Sequence, residues 1–335
     1  CPSRSAPTPL LFTEEEDLLD RADQIDLLVI ASPNYLHTPT LEKWGRHDLT
    51  ILVEKPVAVS REQHDHLKQI SENFRARIWV AMEYRYIPAI AKLLTLLPQI
   101  GDLKMVTIRE NRYPFLHKIG EWNRDWEKTG DTLVEKCCHF FDLFRLITNQ
   151  EVDLPKVRAM VQRGLLYDQE DLPYDKPIID SAYVMMPFTK RTDVKTIGCL
   201  ELCMFAEGSR HQEEIIVTGT KGRLEAYLPE NKVFMFRRPD YKQWNDRSVP
   251  PPPESIREEI FDCSDVKETH GIDAEMPTHG GYHYSSTAVE WYHLLETMET
   301  YEATGRWEPD VSLQDGLRAV EIGLDASEAI VNEHN

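Results

Sequence analysis

Three shortages mark this 335-residue sequence. Basic residues are outnumbered: 38 Lys and Arg stand against 57 Asp and Glu, a formal net charge of −19. That argues against a protein that grips nucleic acid or an anionic membrane mainly by charge, because both partners are polyanions. Long apolar runs are missing, and none approaches the roughly 20 residues that a membrane helix needs. The opening CPSRSAPTPLLF has neither the basic nor the apolar block of a signal peptide. Cysteine is sparse, at six residues, too few for a disulfide scaffold. Cys199 and Cys203, if on one strand, would stand about 13 Å apart, too far to bridge. The expectation is a reducing, cytoplasmic setting with no nucleic-acid and no membrane partner. What is present is ordinary for a globular chain, 41% hydrophobic and 28% charged, and long enough for about two domains.

Periodicity divides the chain. Residues 13–22 read as a helix, with Thr13 ahead of an acidic first turn. Apolar runs at 25–34, 49–56 and 78–84 read as strands buried on both faces, with helices at 38–47 and 60–74 between them. That alternation predicts a parallel βαβ unit over residues 1–88. The pattern then changes. A helix at 88–97, a strand at 103–111 and a helix at 131–147 precede six β-rich stretches, from KVRAMVQRG to KVFMFRR. Their period-2 alternation predicts a large, mostly antiparallel open sheet with one covered face. Residues 239–281 read as a long loop, with PPPP at 250–253 as a rigid spacer. Helices at 283–303 and 312–331 close a second α/β domain spanning 89–335.

Three segments carry candidate chemistry. Ala31-Ser32-Pro33-Asn34-Tyr35-Leu36-His37 ends the first strand, and ligands of open parallel sheets sit at such carboxyl ends. An ordinary strand-to-helix turn capped by Asn34 would look the same. Glu54-Lys55-Pro56 ends the next strand. A lysine there can hold a substrate hydroxyl and stabilise a developing alkoxide. Glu135, His139 and Asp142 are spaced four and three apart, which on one helix puts them on one face. A carboxylate one turn before a histidine can orient the imidazole as a general base. A satisfied core histidine is the bland alternative. Cys137, Cys138, His139 and Asp142 have no second ligand cluster, so no metal is expected. Lys136 receives no role beyond a solvated or ion-paired lysine.

Together and in order, ASPNYLH, EKP, TGDTLVEKCCHFFDLFR, the stretch LELCMFAEGSRHQEEIIVTGTKGRLEAYLPE and VSLQDGLRAVEIGLDASEAI resemble the Gfo/Idh/MocA family of NAD(P)-dependent oxidoreductases, which includes inositol 2-dehydrogenase. The resemblance runs from about Leu11 to the end. It implies a Rossmann domain, here partial, followed by an α/β domain whose open sheet makes a homodimer or tetramer. It implies hydride transfer between NAD or NADP and a secondary hydroxyl of a sugar, cyclitol or related polyol. By resemblance Lys55, His139 and Glu135 are catalytic. Ser32, Pro33, Asn34, His37, Glu54, Lys55 and Pro56 line the cofactor. Tyr84, Arg85, Asn123 and Asp142 meet the substrate.

The sequence departs from the family in two places. Glu135 stands where relatives carry Asp, one methylene shorter. The glycine-rich turn that cradles a dinucleotide pyrophosphate is absent, and Gly45 is the first glycine. The expectation is a truncated chain that binds NAD(P) poorly and leaves the edge of its first strand exposed. Two alternatives differ in class: a sugar-binding or regulatory homologue without turnover, and a structural partner that pairs through its sheet with an intact homologue.

Overall fold

The structure is a computed structural model that describes residues 9–165, 177–189, 196–239, 248, 257–272 and 284–330. Strands β1 (Leu27–Ile30), β2 (Thr50–Glu54) and β3 (Arg77–Ala81) form a parallel sheet in that order. Leu28 faces Ile51, and Val53 faces Val80. Ile51, Leu52 and Val53 are all buried, as a strand covered on both faces requires. Among the described residues β1 pairs only with β2, and its Val29 is 43% exposed, so this edge is open. Helix α1 (Glu15–Leu19) is shorter than its sequence pattern implies and gives way to a 3-10 turn at Ala22–Gln24. Helices α2 (His37–Trp44) and α3 (Arg61–Ile70) complete the alternation, and the Ser60 hydroxyl caps α3 by accepting from the Gln63 amide.

Helix α4 (Pro88–Leu96) leads into β4 (Leu103–Asn111), the centre of a nine-stranded sheet. After α5 (Trp126–Thr129), α6 (Thr132–Glu135) and α7 (Cys138–Thr148) come β5 (Glu151–Val152), β6 (Arg158–Arg163), β7 (Ile179–Thr189), β8 (Thr196–Cys203), β9 (Glu213–Gly219), β10 (Gly222–Leu228), β11 (Lys232–Arg237) and β12 (Arg257–Asp262). The order is β12-β11-β10-β9-β4-β8-β7-β5, with β6 also on β7. Within this sheet only the β4–β8 pairing is parallel among the described strands. Alternation sorts the faces. Val106, Ile108, Val184 and Leu200 are buried, while Met105, Met160, Tyr183, Met185 and Ile197 are exposed on the other side.

Two sequence expectations need correction. The stretch 239–281 is not one loop: its REEIFD segment is β12, bonded to β11, and α8 (Val266–His270) follows it. The Pro tract at 250–253 lies outside the described residues. The helix expected at 131–147 is broken. The Cys137 amide donates to the Thr132 carbonyl five residues back, a wide turn that separates α6 from α7.

Helices α9 (Ser286–Thr304) and α10 (Leu313–Glu328) close the chain, and Ser312 with Asp315 forms a capping box on α10. Helix α10 packs tightly at its two glycines. A Cβ on Gly316 would lie 3.0 Å from Val80, and one on Gly323 would lie 2.6 Å from the Leu133 carbonyl oxygen. The main apolar core runs from β2 and β3 through α10 to α7 and the large sheet, and a smaller one gathers Leu52, Trp79 and Tyr86 against Val289 and Leu294 of α9.

Candidate active site

Strand β2 delivers Lys55 at its carboxyl end, ahead of a cis bond to Pro56. The Lys55 ammonium donates to the Glu135 backbone carbonyl at 2.7 Å and lies 3.5 Å from the Glu135 carboxylate. Both side chains are nearly buried. Burial alone would lower the Lys55 pKa, yet Glu135, Cys138, Glu54 and Glu83 together outweigh it and hold the ammonium above its ordinary value. Burial likewise works against ionised Glu135, and Lys55 with Arg112, Lys118 and Lys136 together reverse it, so that carboxyl sits below its ordinary value. Lys55 is thus a charged donor fixed to the last turn of α6.

His139 lies in the first turn of α7 and is 4% exposed. The wide turn at Lys136 and Cys137 puts Glu135 and His139 on different helical segments, so the single regular face expected from spacing is absent. Glu135 is engaged by Lys55 through Oε1, and its Oε2 accepts no hydrogen bond. The imidazole packs instead against Tyr84, with ring centroids 4.5 Å apart and planes tilted 30°.

Tyr84, expected at the substrate, is buried and otherwise occupied. Its hydroxyl donates to the Glu213 carboxylate and accepts from Lys136 Nζ at 2.6 Å. Lys136 Nζ also lies 3.4 Å from Glu110 and 3.7 Å from Glu213. Arg112 approaches Glu110 at 3.6 Å. Burial, with Glu110 beside it, pushes the Glu213 carboxyl well above its ordinary range. Sequence reasoning left Lys136 without a role and overlooked Glu110 and Glu213. A signal existed: each sits on the buried parity of its strand, Glu110 with Val106 and Ile108, Glu213 with Ile215 and Val217. The neighbouring cysteines fill core. Burial pushes Cys138 to about 12 and Cys137 up as well, so both are inert thiols.

Three further candidates are engaged within the chain. Asp142 is 1% exposed and takes both its oxygens to Arg85, at 2.6 and 2.5 Å. Arg85 is thereby locked in a fork-to-fork pair and also donates to the Asp310 carbonyl. Asn123 braces its own loop, donating to the Leu116 carbonyl at 2.8 Å, with Oδ1 buried and unbonded. His37 is fully buried, with Nδ1 2.8 Å from the Pro56 carbonyl and Nε2 2.8 Å from the Ser32 carbonyl. It ties together the turns after β1 and β2. Burial, aided by Lys55 and Lys118, lowers its pKa.

Of the other cofactor-side residues, Pro33 opens the 3-10 turn Asn34–Leu36, and Glu54 ends β2. Ser32 Oγ and Asn34 Nδ2 are buried without a hydrogen-bond partner at the carboxyl end of β1. Buried polar atoms of that kind call for a partner, and the ribose or carboxamide of a nicotinamide nucleotide has the donors and acceptors to supply one. The residues present fit the nicotinamide end of a dinucleotide; the sequence before Gly45 holds no glycine-rich turn for its pyrophosphate. Among the described residues no group of three or more His, Cys, Asp or Glu could hold a metal ion, and no helix is long and apolar enough to cross a membrane.

Comparison with known proteins agrees with this architecture. Residues 4–82 match the NAD-binding Rossmann fold of the Gfo/Idh/MocA oxidoreductases, and residues 97–334 match their C-terminal alpha/beta domain. The chain is 27% identical over 160 residues to glucose-6-phosphate 3-dehydrogenase of Bacillus subtilis, covering 46% of this chain and 45% of that protein. It is 24% identical over 215 residues to inositol 2-dehydrogenase of Rhizobium meliloti, covering 63% and 59%. The chain thus spans about half the length of these curated relatives. An NAD binding oxidoreductase from Klebsiella pneumoniae superposes with a TM-score of 0.72 at 17% identity, over 95% of this chain and 81% of that one.

Proposed function

The chain belongs to the Gfo/Idh/MocA oxidoreductase family, and from that premise we propose that it transfers hydride between NAD(P) and a secondary hydroxyl of a sugar, cyclitol or related polyol. The observation that carries the reading is the charged Lys55, anchored at the carboxyl edge of a parallel sheet to the helical turn just ahead of His139. The nicotinamide, when bound, supplies the hydride acceptor or donor. Ser32 and Asn34 would hold its ribose end. Lys55 Nζ donates to the reacting oxygen and stabilises charge that develops there. His139 takes the hydroxyl proton. Glu135 keeps Lys55 ionised. Relatives that act on glucose 6-phosphate and inositol support a polyhydroxylated substrate. The exposed apolar face carrying Met105, Tyr183, Met185 and Ile197 supports pairing of two copies through the open sheet.

The test is hydride transfer measured against a panel of sugars, sugar phosphates and cyclitols with NAD and with NADP. Turnover that survives in neither Lys55→Met nor His139→Asn supports the reading. Sugar binding with no turnover for any substrate overturns it.

A further inference from the structure

Glu110 and Glu213 are direct partners across the β4–β9 ladder, and both point into the core. Two carboxyl groups opposite one another in a buried site resist ionising together, and burying charge is costly even when it is paired. Apolar side chains of the same volume would fill this space without that cost. The cations that answer the two carboxylates come from elsewhere: Lys136 from the wide turn between α6 and α7, and Arg112 from the loop after β4. The arrangement does more than balance charge. Lys136 and Glu213 seize the Tyr84 hydroxyl from two sides, one as donor and one as acceptor. A phenol held at its oxygen in this way has a fixed ring plane, and that ring is the wall against which the His139 imidazole lies. Phe140 meets the Tyr84 ring edge-on at 5.6 Å and limits sliding.

We propose that Tyr84 is a positioning residue for His139, held by Lys136 and Glu213, and that the buried charge cluster exists to aim the imidazole. The proposal rests on the reading of His139 as general base. Aim matters at such a base, because a displacement of about 1 Å can cost on the order of a hundredfold in rate. The ionisable groups that act on Tyr84 are Glu110 on β4, Arg112 after it, Glu213 on β9 and Lys136 between α6 and α7.

The test uses Tyr84→Phe, which keeps the ring and removes its anchor, and Tyr84→Leu, which removes the wall. Proton NMR of the ligand-free protein, with the His139 signal identified by its loss in His139→Asn, follows the imidazole through a pH titration. Steady-state kinetics of the enzyme with cofactor and substrate run beside it. The expected result in Tyr84→Phe is a displaced His139 resonance, a midpoint moved by about half a pH unit, and kcat down roughly tenfold with KM within about twofold. Tyr84→Leu exceeds it on each measure. Lys136→Met strands two buried carboxylates and can fail to fold, so Lys136→Met with Glu213→Gln serves as the second variant and should match Tyr84→Phe. An unchanged His139 titration in Tyr84→Phe overturns the proposal. So does a raised KM at unchanged kcat, which would make Tyr84 a substrate contact. If His139→Asn leaves turnover intact, the general-base reading fails, and the proposal with it, while the titration still separates that failure from a Tyr84 ring that never constrained the imidazole.

Discussion

Lys55 is bound twice to the same residue, once through the Glu135 main-chain carbonyl and once through its carboxylate. The two contacts have separate effects. The carbonyl fixes where the ammonium sits, and the carboxylate fixes its charge.

Replacing Lys55 with Met should therefore cost on the order of 10²–10³ in kcat at nearly unchanged fold. Lys55→Arg should not restore it, because a planar guanidinium cannot replace a compact ammonium on the same carbonyl. Steady-state kinetics decide the matter, and a Lys55→Met enzyme near wild-type turnover would contradict the assignment.

Glu135→Gln should leave Lys55 in place but remove the carboxylate that raises its pKa. The alkaline limb of the pH–rate profile should move to lower pH. Glu135→Asp should keep the limb closer to its original position. Identical profiles for wild type and Glu135→Gln would show that the carboxylate does not control the lysine.

Gly323 lies against the Leu133 carbonyl of α6, with no room for a methyl group. Gly323→Ala should push α10 off the segment that carries Glu135 and destabilise the fold by about 1–3 kcal/mol. Chemical denaturation measures it. An unchanged midpoint would mean that the two helices separate freely.

Glu290 offers a pH-dependent prediction. Burial, opposed in part by the Trp79 indole donor, raises its carboxyl to about 8. The folded group stays neutral where the unfolded group, at the ordinary 4.5, ionises. Its contribution is fully present below about pH 4.5 and is lost as pH rises towards 8. The melting temperature should fall across that window, and Glu290→Gln, still able to accept from Trp79, should flatten the fall. Parallel thermal melts of the two proteins at several pH values test it.

Much of this was legible locally. The strand Leu103–Asn111 coincides with its expected span because period-2 alternation and a preceding Gly101 bound it. Lys55 was legible because a charged residue directly after an apolar strand must emerge at the sheet edge. The wide turn at Lys136 and Cys137 was not, since the apolar pattern of LVEKCCHFFDLF continues through it without a Pro or Gly. Strand β12 was hidden because its partner β11 lies some twenty residues away, and a short polar-apolar segment gains its shape from that pairing. The fate of Asp142 was hidden for the same reason: Arg85, 57 residues earlier, decides it. Spacing shows which side chains share a helix. It does not show which distant cation reaches them first.

Arg85 joins three segments: its own turn after β3, Asp142 on α7, and the Asp310 carbonyl ahead of α10. A rivet of this kind couples the turn after the parallel sheet to the helix that carries His139. Without it Asp142 would keep, among the described residues, only Arg145, 4.0 Å away, so the loss of one guanidinium would strand a buried carboxylate and unpin three stretches of chain at once.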